Sequence, residues 1–493
     1  MQIERKTKRK SNFLLLFRDA AYVHKGGRYE FSFFFILLFV YFFIFSYLRN
    51  VKVNIYDRQI LQIALPAIIT NITVPLLGLV DTAIVGHMGD AAYMGAIAVG
   101  SMIFNLVYWI FGFLRMGTSG MTAQAFGAND WAQTRLLLKR SLQVSAGIAL
   151  MILVLQWPLR ELMLWLMEPS AEVCPLVVTY FSIVVWGAPA MLGLYGLTGW
   201  FIGMQNTRIP MVVSILQNLV NILMSLLLVY GFGMKMEGVA LGTLIAQWTG
   251  FLLAVGLMKR GHHHEKGDGA VNLSSKNGDD SHTPSFFRTN RDIFLRTLCL
   301  VAVNLCFTSL GARQGTVILA VNALLMQFLL LFSYILDGFA YAGEALGGRY
   351  WGAKDDIAFR MVVRRLFGWG VAMTIAFTSF YIISGMGFLR ILTDEPTVVL
   401  ASREYVWWAW LIPVCGVTAF IWDGIFIGIT HTKGMLLSAF LAAIGFSIAV
   451  YVLMPLWGNH GLWLALLAFL TVRGIVQTAL YQYDKSSTKG KTC

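Results

Sequence analysis

The sequence predicts an all-α polytopic membrane protein, with about twelve transmembrane helices in two six-helix lobes related as parallel repeats. Three observations carry this. First, 57% of the 493 residues are hydrophobic and only 13% are charged, where soluble domains carry roughly 25% charged residues. Second, the apolar residues fall in long blocks separated by short polar joints, whereas outer-membrane barrels show short alternating strands. Third, the chain repeats itself. FGANDWAQTRLLLKR (126–140) resembles WGAKDDIAFRMVVRR (351–365), GWFIGMQNTR (199–208) resembles GIFIGITHTK (424–433), and LMEPSAEV (166–173) falls on ILTDEPTV (391–398). All three matches share one offset, 225 residues, as from Gly127 to Gly352. Six spans per half is an even number, so both halves enter the membrane in the same orientation.

Taken in order, residues 1–56 form a basic and hydrophobic N-terminal extension. Arg5, Lys6, Lys8, Arg9, Lys10, Arg18, Lys25 and Arg28 precede the apolar run Phe31–Tyr47. Spanning there would place the basic arm outside, against the positive-inside rule, so an interfacial helix is the preferred reading, with a start near Val53 as the alternative. The N-lobe occupies 57–258, with spans near 57–86, 91–126, 131–166, 171–204, 209–232 and 237–258. Residues 259–291, rich in Gly, Ser, Asp, Asn and His, read as a cytoplasmic linker. The C-lobe occupies 292–482, with spans near 292–316, 319–351, 356–392, 397–430, 434–455 and 459–482, and 483–493 form a cytoplasmic tail.

The net charge of +13 would suit nucleic acid, but its location excludes that reading. Arg135, Lys139, Arg140, Arg208, Lys259 and Arg260 lie in alternate joints of the first half. Arg360, Arg364, Arg365, Lys433, Lys485 and Lys489 take the matching places in the second half and the tail. Both ends of the body are therefore expected in the cytoplasm of a multi-pass protein of the bacterial inner membrane. Five scattered cysteines form neither a disulfide framework nor a metal site. His262-His263-His264-Glu265 reads as a solvated run, and Gly490-Lys491-Thr492 lacks the remaining glycine and helix of a phosphate loop. No hydrolase, metalloprotease or paired CxxC motif occurs, so no cofactor is expected and an ion gradient must supply the energy.

The first span carries one carboxylate, Asp81, on a helix that also holds Pro66, Pro75 and Gly78. A charge in such a run costs several kcal/mol unless it meets a cavity or a partner, and prolines let the helix bend there. A carboxylate so placed suits proton exchange near physiological pH. The competing reading is a solvated helix end, since Gly86 follows closely. Asn218, Asn221 and Ser225 on span five, Thr243 on span six and Thr198 at the end of span four are polar residues that either line a hydrated pocket with Asp81 or join helices. In the second half, Asp337 and Glu344 share a face of span eight and Asp423 lies in span ten. They form a candidate cation site, with ion pairing to Arg115 or Arg313 as the competing reading.

The stretch from about Asp57 to Tyr483 resembles the multidrug and toxic compound extrusion (MATE) family, most of all its DNA-damage-inducible protein F branch. The residues that carry the resemblance are ALP…GLVDTAIVGHMG (64–89), GxxNTRIPM (203–211), LDGFAYAGEAL (336–346), WGAKD (351–355) and DGIFIGITHTKGM (423–435). The resemblance implies export of amphipathic, often cationic compounds in exchange for H⁺ or Na⁺, with small organic molecules and the bilayer as partners. It implies that Asp81 is the proton-coupling aspartate, that Pro66 marks the bend, that Asn221, Thr198 and Thr243 line the first-lobe pocket, and that Asp423 is placed like a sodium-coupling acid. Many relatives carry an aspartate four residues after the fifth-helix asparagine; here Ser225 stands there, which favours a scheme with one carboxylate, Asp81. A monomeric H⁺-coupled antiporter is expected, with no enzymatic activity. Na⁺ coupling through the C-lobe acids, a lipid-linked precursor flippase and a membrane-embedded enzyme are the rivals.

Overall fold

The computed structural model describes residues 54–86, 91–265 and 283–489. The N-terminal extension up to residue 53, linker residues 266–282 and tail residues 490–493 lie outside the described residues. The first helix, α1, is Ile55–Gly86. Eleven further helices among the described residues are long and apolar enough to cross a membrane. They are α2 (Ala92–Gly127), α3 (Trp131–Val154), α4 (Cys174–Gly203), α5 (Arg208–Gly231) and α6 (Met236–Arg260), then α7 (Phe286–Ala312), α8 (Thr316–Gly352), α9 (Asp356–Leu392), α10 (Pro396–Gly428), α11 (Thr432–Trp457) and α12 (Asn459–Tyr483). Large apolar side chains such as Leu150, Ile383 and Tyr451 stand exposed on the outside of the bundle, as a lipid-facing surface requires.

Three expected elements differ from the sequence reading, the first being the second span, 91–126, which a turn at Phe111–Gly112 interrupts between Ala91–Ile110 and Phe113–Gly127. The expected third span, 131–166, is two helices, because α3 stops at Val154 and a separate helix runs Gln156–Met167. Pro158 has no N–H to donate to the Val154 carbonyl, so the ladder ends there. The expected linker 259–291 is shorter at both ends, since helix continues to Glu265 and resumes at Thr283. Glycine did not break the α6 extension because one glycine costs a helix only about 1 kcal/mol.

The 225-residue offset recurs in the backbone. Asn129 and Lys354 are left-handed at φ 56° and 57°, and Gln205 and Thr430 at 64° and 54°. Asp130 caps the helix after the first of these turns through Gln133 N–H at 2.9 Å, and Asp355 does the same through Ala358 N–H at 2.9 Å. A left-handed residue followed by an aspartate cap stops one helix and starts the next, so the shared sequence GAxD dictates the same corner twice.

The two halves meet along α1, α2, α7, α8 and α10, and the polar contacts that join them gather at one end. Tyr350 donates to Gln59 Oε1 (2.8 Å), Gln124 to the Gly428 carbonyl (2.7 Å), and Gln205 to the Ala345 carbonyl (2.7 Å). Arg365 pairs with Asp57 at 3.3 Å. The backbones approach closely because small residues face each other: Gly127 lies on Arg349 and Gly352 on Gln124, a reciprocal pair under the same offset. This closed end carries the basic joints after α2 and α8. A further tie lies nearer the middle of the bundle, where Asn71 donates to the Tyr334 carbonyl at 3.0 Å.

Candidate functional site

Helix α1 runs unbroken through Pro66 and Pro75. Pro66 cannot donate to the Gln62 carbonyl. The Thr207 hydroxyl, buried in the turn between α4 and α5, serves that stretch instead, donating to Ile63 O at 3.0 Å with Gln62 O at 3.5 Å. The Thr70 hydroxyl donates to the Pro66 carbonyl at 2.9 Å. The NTR motif at 206–208 is thus the prop of the proline site in α1. Thr207→Val removes the hydroxyl and keeps the shape. It is expected to cost about 1–2 kcal/mol, read as a lowered midpoint of thermal unfolding in detergent.

Asp81 is buried, with 7% of its surface exposed, so the solvated helix end is excluded. Its Oδ1 finds no protein donor among the described residues. Tyr180 of α4 lies close enough to interact with its charge, and the Tyr180 hydroxyl faces Ser101 of α2 and Thr243 of α6. Asn221 donates to the Thr243 hydroxyl at 3.1 Å, and its own Oδ1 and the Ser225 Oγ are both buried without a partner among the described residues. The structure therefore brings Asp81, Asn221 and Thr243 into one neighbourhood and adds Tyr180 and Ser101. Those two escaped the sequence reading because a tyrosine and a serine in apolar helices look like packing. Ser225 packs against the backbone of Gly242.

Two further expected pocket residues make contacts of their own. Asn218 donates to the Thr73 carbonyl at 3.1 Å and joins α5 to α1, one turn before Asn221. Thr198 is half-buried on α4, 18 residues past Tyr180, or about 27 Å along a helix. Its neighbour Gly199 packs on the Arg115 backbone near the seam of the two halves. Sequence proximity to a pocket helix does not resolve depth along it.

Two of the three second-half acids are held by arginines. Asp423 accepts from Arg296, Arg473 and, at 2.6 Å, Gln477. Glu344 pairs with Arg115 at 3.0 Å and accepts from the Ser119 hydroxyl. Asp337 lies within electrostatic reach of Arg115 and Arg296. Three arginines thus serve Glu344 and Asp423, and Asp337 lies within electrostatic reach of two of them. Arg313, paired with Arg115 in the sequence reading, is exposed at the end of α7. Arg296 and Arg473 were missed because their partners lie 127 and 50 residues away. Their signal was only that an arginine within an apolar span must find an anion.

A membrane-spanning helical bundle with two unlike polar centres and a seam closed at one end defines a solute transporter. The MatE family model matches residues 66–227 and again 293–453, so this chain belongs to the MATE family of transporters. The DNA damage-inducible protein F of Escherichia coli K12 is 37% identical over 429 residues, covering 86% of this chain and 92% of that protein. A MATE crystal structure in the bent conformation superposes with TM-score 0.77 at 18% identity, over 89% of this chain and 97% of the other. An outward-facing multidrug resistance transporter of the family superposes with TM-score 0.76 at 17% identity, over 89% and 98%. The fold and the resemblance expected from the sequence are those found, and the family consists of transporters rather than enzymes.

Proposed function

We propose that this chain exports amphipathic, cationic organic compounds in exchange for protons, using Asp81 as the shared carboxylate in an alternating-access cycle. The observation that carries the reading is a buried carboxylate with no cation paired to it among the described residues, in one neighbourhood with Asn221, whose Oδ1 is also buried without a partner among them. An unpaired buried charge costs several kcal/mol, and either a proton or a cationic ligand removes that cost. Two ligands that compete for one carboxylate exchange for each other. Binding must differ between the two states for the exchange to pump; bending of α1 at Pro66 or Pro75 is our reading of how the pocket changes. We place the protein in the bacterial inner membrane as a monomer, with both ends of the twelve-helix body cytoplasmic. The halves 57–258 and 292–482 act as its two lobes.

The test is counter-transport in liposomes under imposed H⁺ or Na⁺ gradients, with several organic cations and one bile-salt-like anion. The expected result is cation transport driven by a pH gradient with sodium absent. Transport that requires sodium would overturn the proton reading. The sodium alternative is less well supported because Glu344 and Asp423 are engaged by arginines. A flippase would need a wide groove rich in unpaired cations, and Arg115, Arg296 and Arg473 all face carboxylates.

A further inference from the structure

Arg115 stands beside two carboxylates on one stripe of α8. Asp337, Tyr341 and Glu344 are spaced i, i+4, i+7 and share a helical face. Arg115 reaches them from α2, in the other half of the chain. Its guanidinium holds Glu344 at 3.0 Å, lies 4.1 Å from the centre of the Tyr341 ring, and is within electrostatic reach of Asp337. Glu344 also binds Ser119, and these two residues are 225 apart, so they are counterparts in the repeat. The contact therefore sits where the pseudo-two-fold relation of the halves places a residue against its own equivalent. Glu344 is 1% exposed and rides on the π-helical turn Gly343–Gly347, a local irregularity of the kind found at functional sites. It belongs to the closed end. Asp337 lies two turns farther from that end, half-buried, and receives no hydrogen bond from the described residues.

Resting on the alternating-access reading, we propose that Arg115 is a transferable latch. It holds Glu344 while this end is closed and passes over the Tyr341 ring to Asp337 when the end opens. The physical reason is that a buried charge needs a counter-charge and a hydrated one does not. While the end near Glu344 is closed, Glu344 is the buried acid and takes the arginine. When that end opens, water reaches Glu344, the opposite cleft closes over Asp337, and Asp337 becomes the acid that needs the arginine. The ring of Tyr341 offers the guanidinium a favourable surface on the way, and displacements of one helical turn are a known mode of switching. One cation thus serves two acids in turn.

The experiment measures the distance between halves at the closed end. Ala128 and Ala353 are exposed counterparts in the repeat, one after α2 and one after α8. Spin labels on Ala128→Cys and Ala353→Cys are placed in full-length protein whose Cys174, Cys299, Cys306, Cys415 and Cys493 are replaced by serine. Pulsed electron–electron double resonance in liposomes then reports the ratio of separated to closed molecules. Glu344→Gln is expected to raise that ratio by about tenfold or more, and Asp337→Asn to lower it by about as much. Glu344→Asp, which keeps the charge but shortens the reach, is expected to move the ratio in the same direction as Glu344→Gln, and it stands in if the glutamine variant does not fold. Equal-signed shifts for the two acids, or no shift, overturn the latch. The distances are read without any ion gradient, so they test the latch even if Asp81 is shown not to couple protons.

Discussion

Proton-driven efflux is expected to fall to background in Asp81→Asn, while the protein still folds and inserts. Asparagine is nearly the same shape, and it deletes the charge. The side chain is 7% exposed and no described residue forms an ion pair with it, so none is lost among the described residues. Removing an unpaired buried charge should leave the unfolding midpoint unchanged or raised. What is lost is the group on which a proton and a cation compete. The measurement pairs transport under an imposed pH gradient with thermal unfolding of the same preparation. Wild-type efflux in the variant would remove Asp81 from the mechanism. Lost efflux with a collapsed unfolding midpoint would mean that Asp81 is structural.

The second large effect is expected at Asp423, and it is of the opposite kind. Asp423→Asn leaves Arg296 and Arg473 buried side by side with one anion fewer; their side chains are 9% and 5% exposed. Removing one partner from such a group costs about 3–5 kcal/mol. A steep loss of thermal stability and of folded yield is therefore expected, read in detergent by unfolding midpoint and monodispersity. Replacing the set together with apolar residues (Asp423→Leu, Arg296→Met and Arg473→Met) should recover much of the stability, because burying three charges was itself costly. A stable Asp423→Asn variant with altered sodium dependence would instead restore the cation-site reading. Asp81 and Asp423 look alike in a linear sequence, each a lone acid in an apolar run. Their expected phenotypes separate because Asp423 has two arginines beside it and Asp81 has none among the described residues.

This contrast marks how far the sequence could be read. Span positions were legible because a bilayer demands runs of about 20 apolar residues whatever their neighbours. The repeat was legible because the corners at Asn129–Asp130 and Lys354–Asp355 are local, with a left-handed residue and an aspartate cap written into adjacent positions. The break before Gln156 was readable in principle from Pro158, but apolar sequence on both sides hid it. Asp81 stood out because cost alone singles out a charge in a membrane helix.

What the sequence determined by itself was therefore the number and course of the helices, their internal duplication, the family resemblance and the presence of a few costly polar groups. Each of these follows from local chemistry or from comparison of the chain with itself. Only the tertiary structure decided which of those groups are paired. It joined Asp423 to Arg296 and Arg473, set Thr207 under the proline of α1, tied Asn218 to the Thr73 carbonyl, and brought Tyr180 towards Asp81. Partners from 50 to 229 residues apart in the chain meet only through helix packing. The worth of a buried charge depends on its nearest counter-charge, a distance that no local pattern encodes.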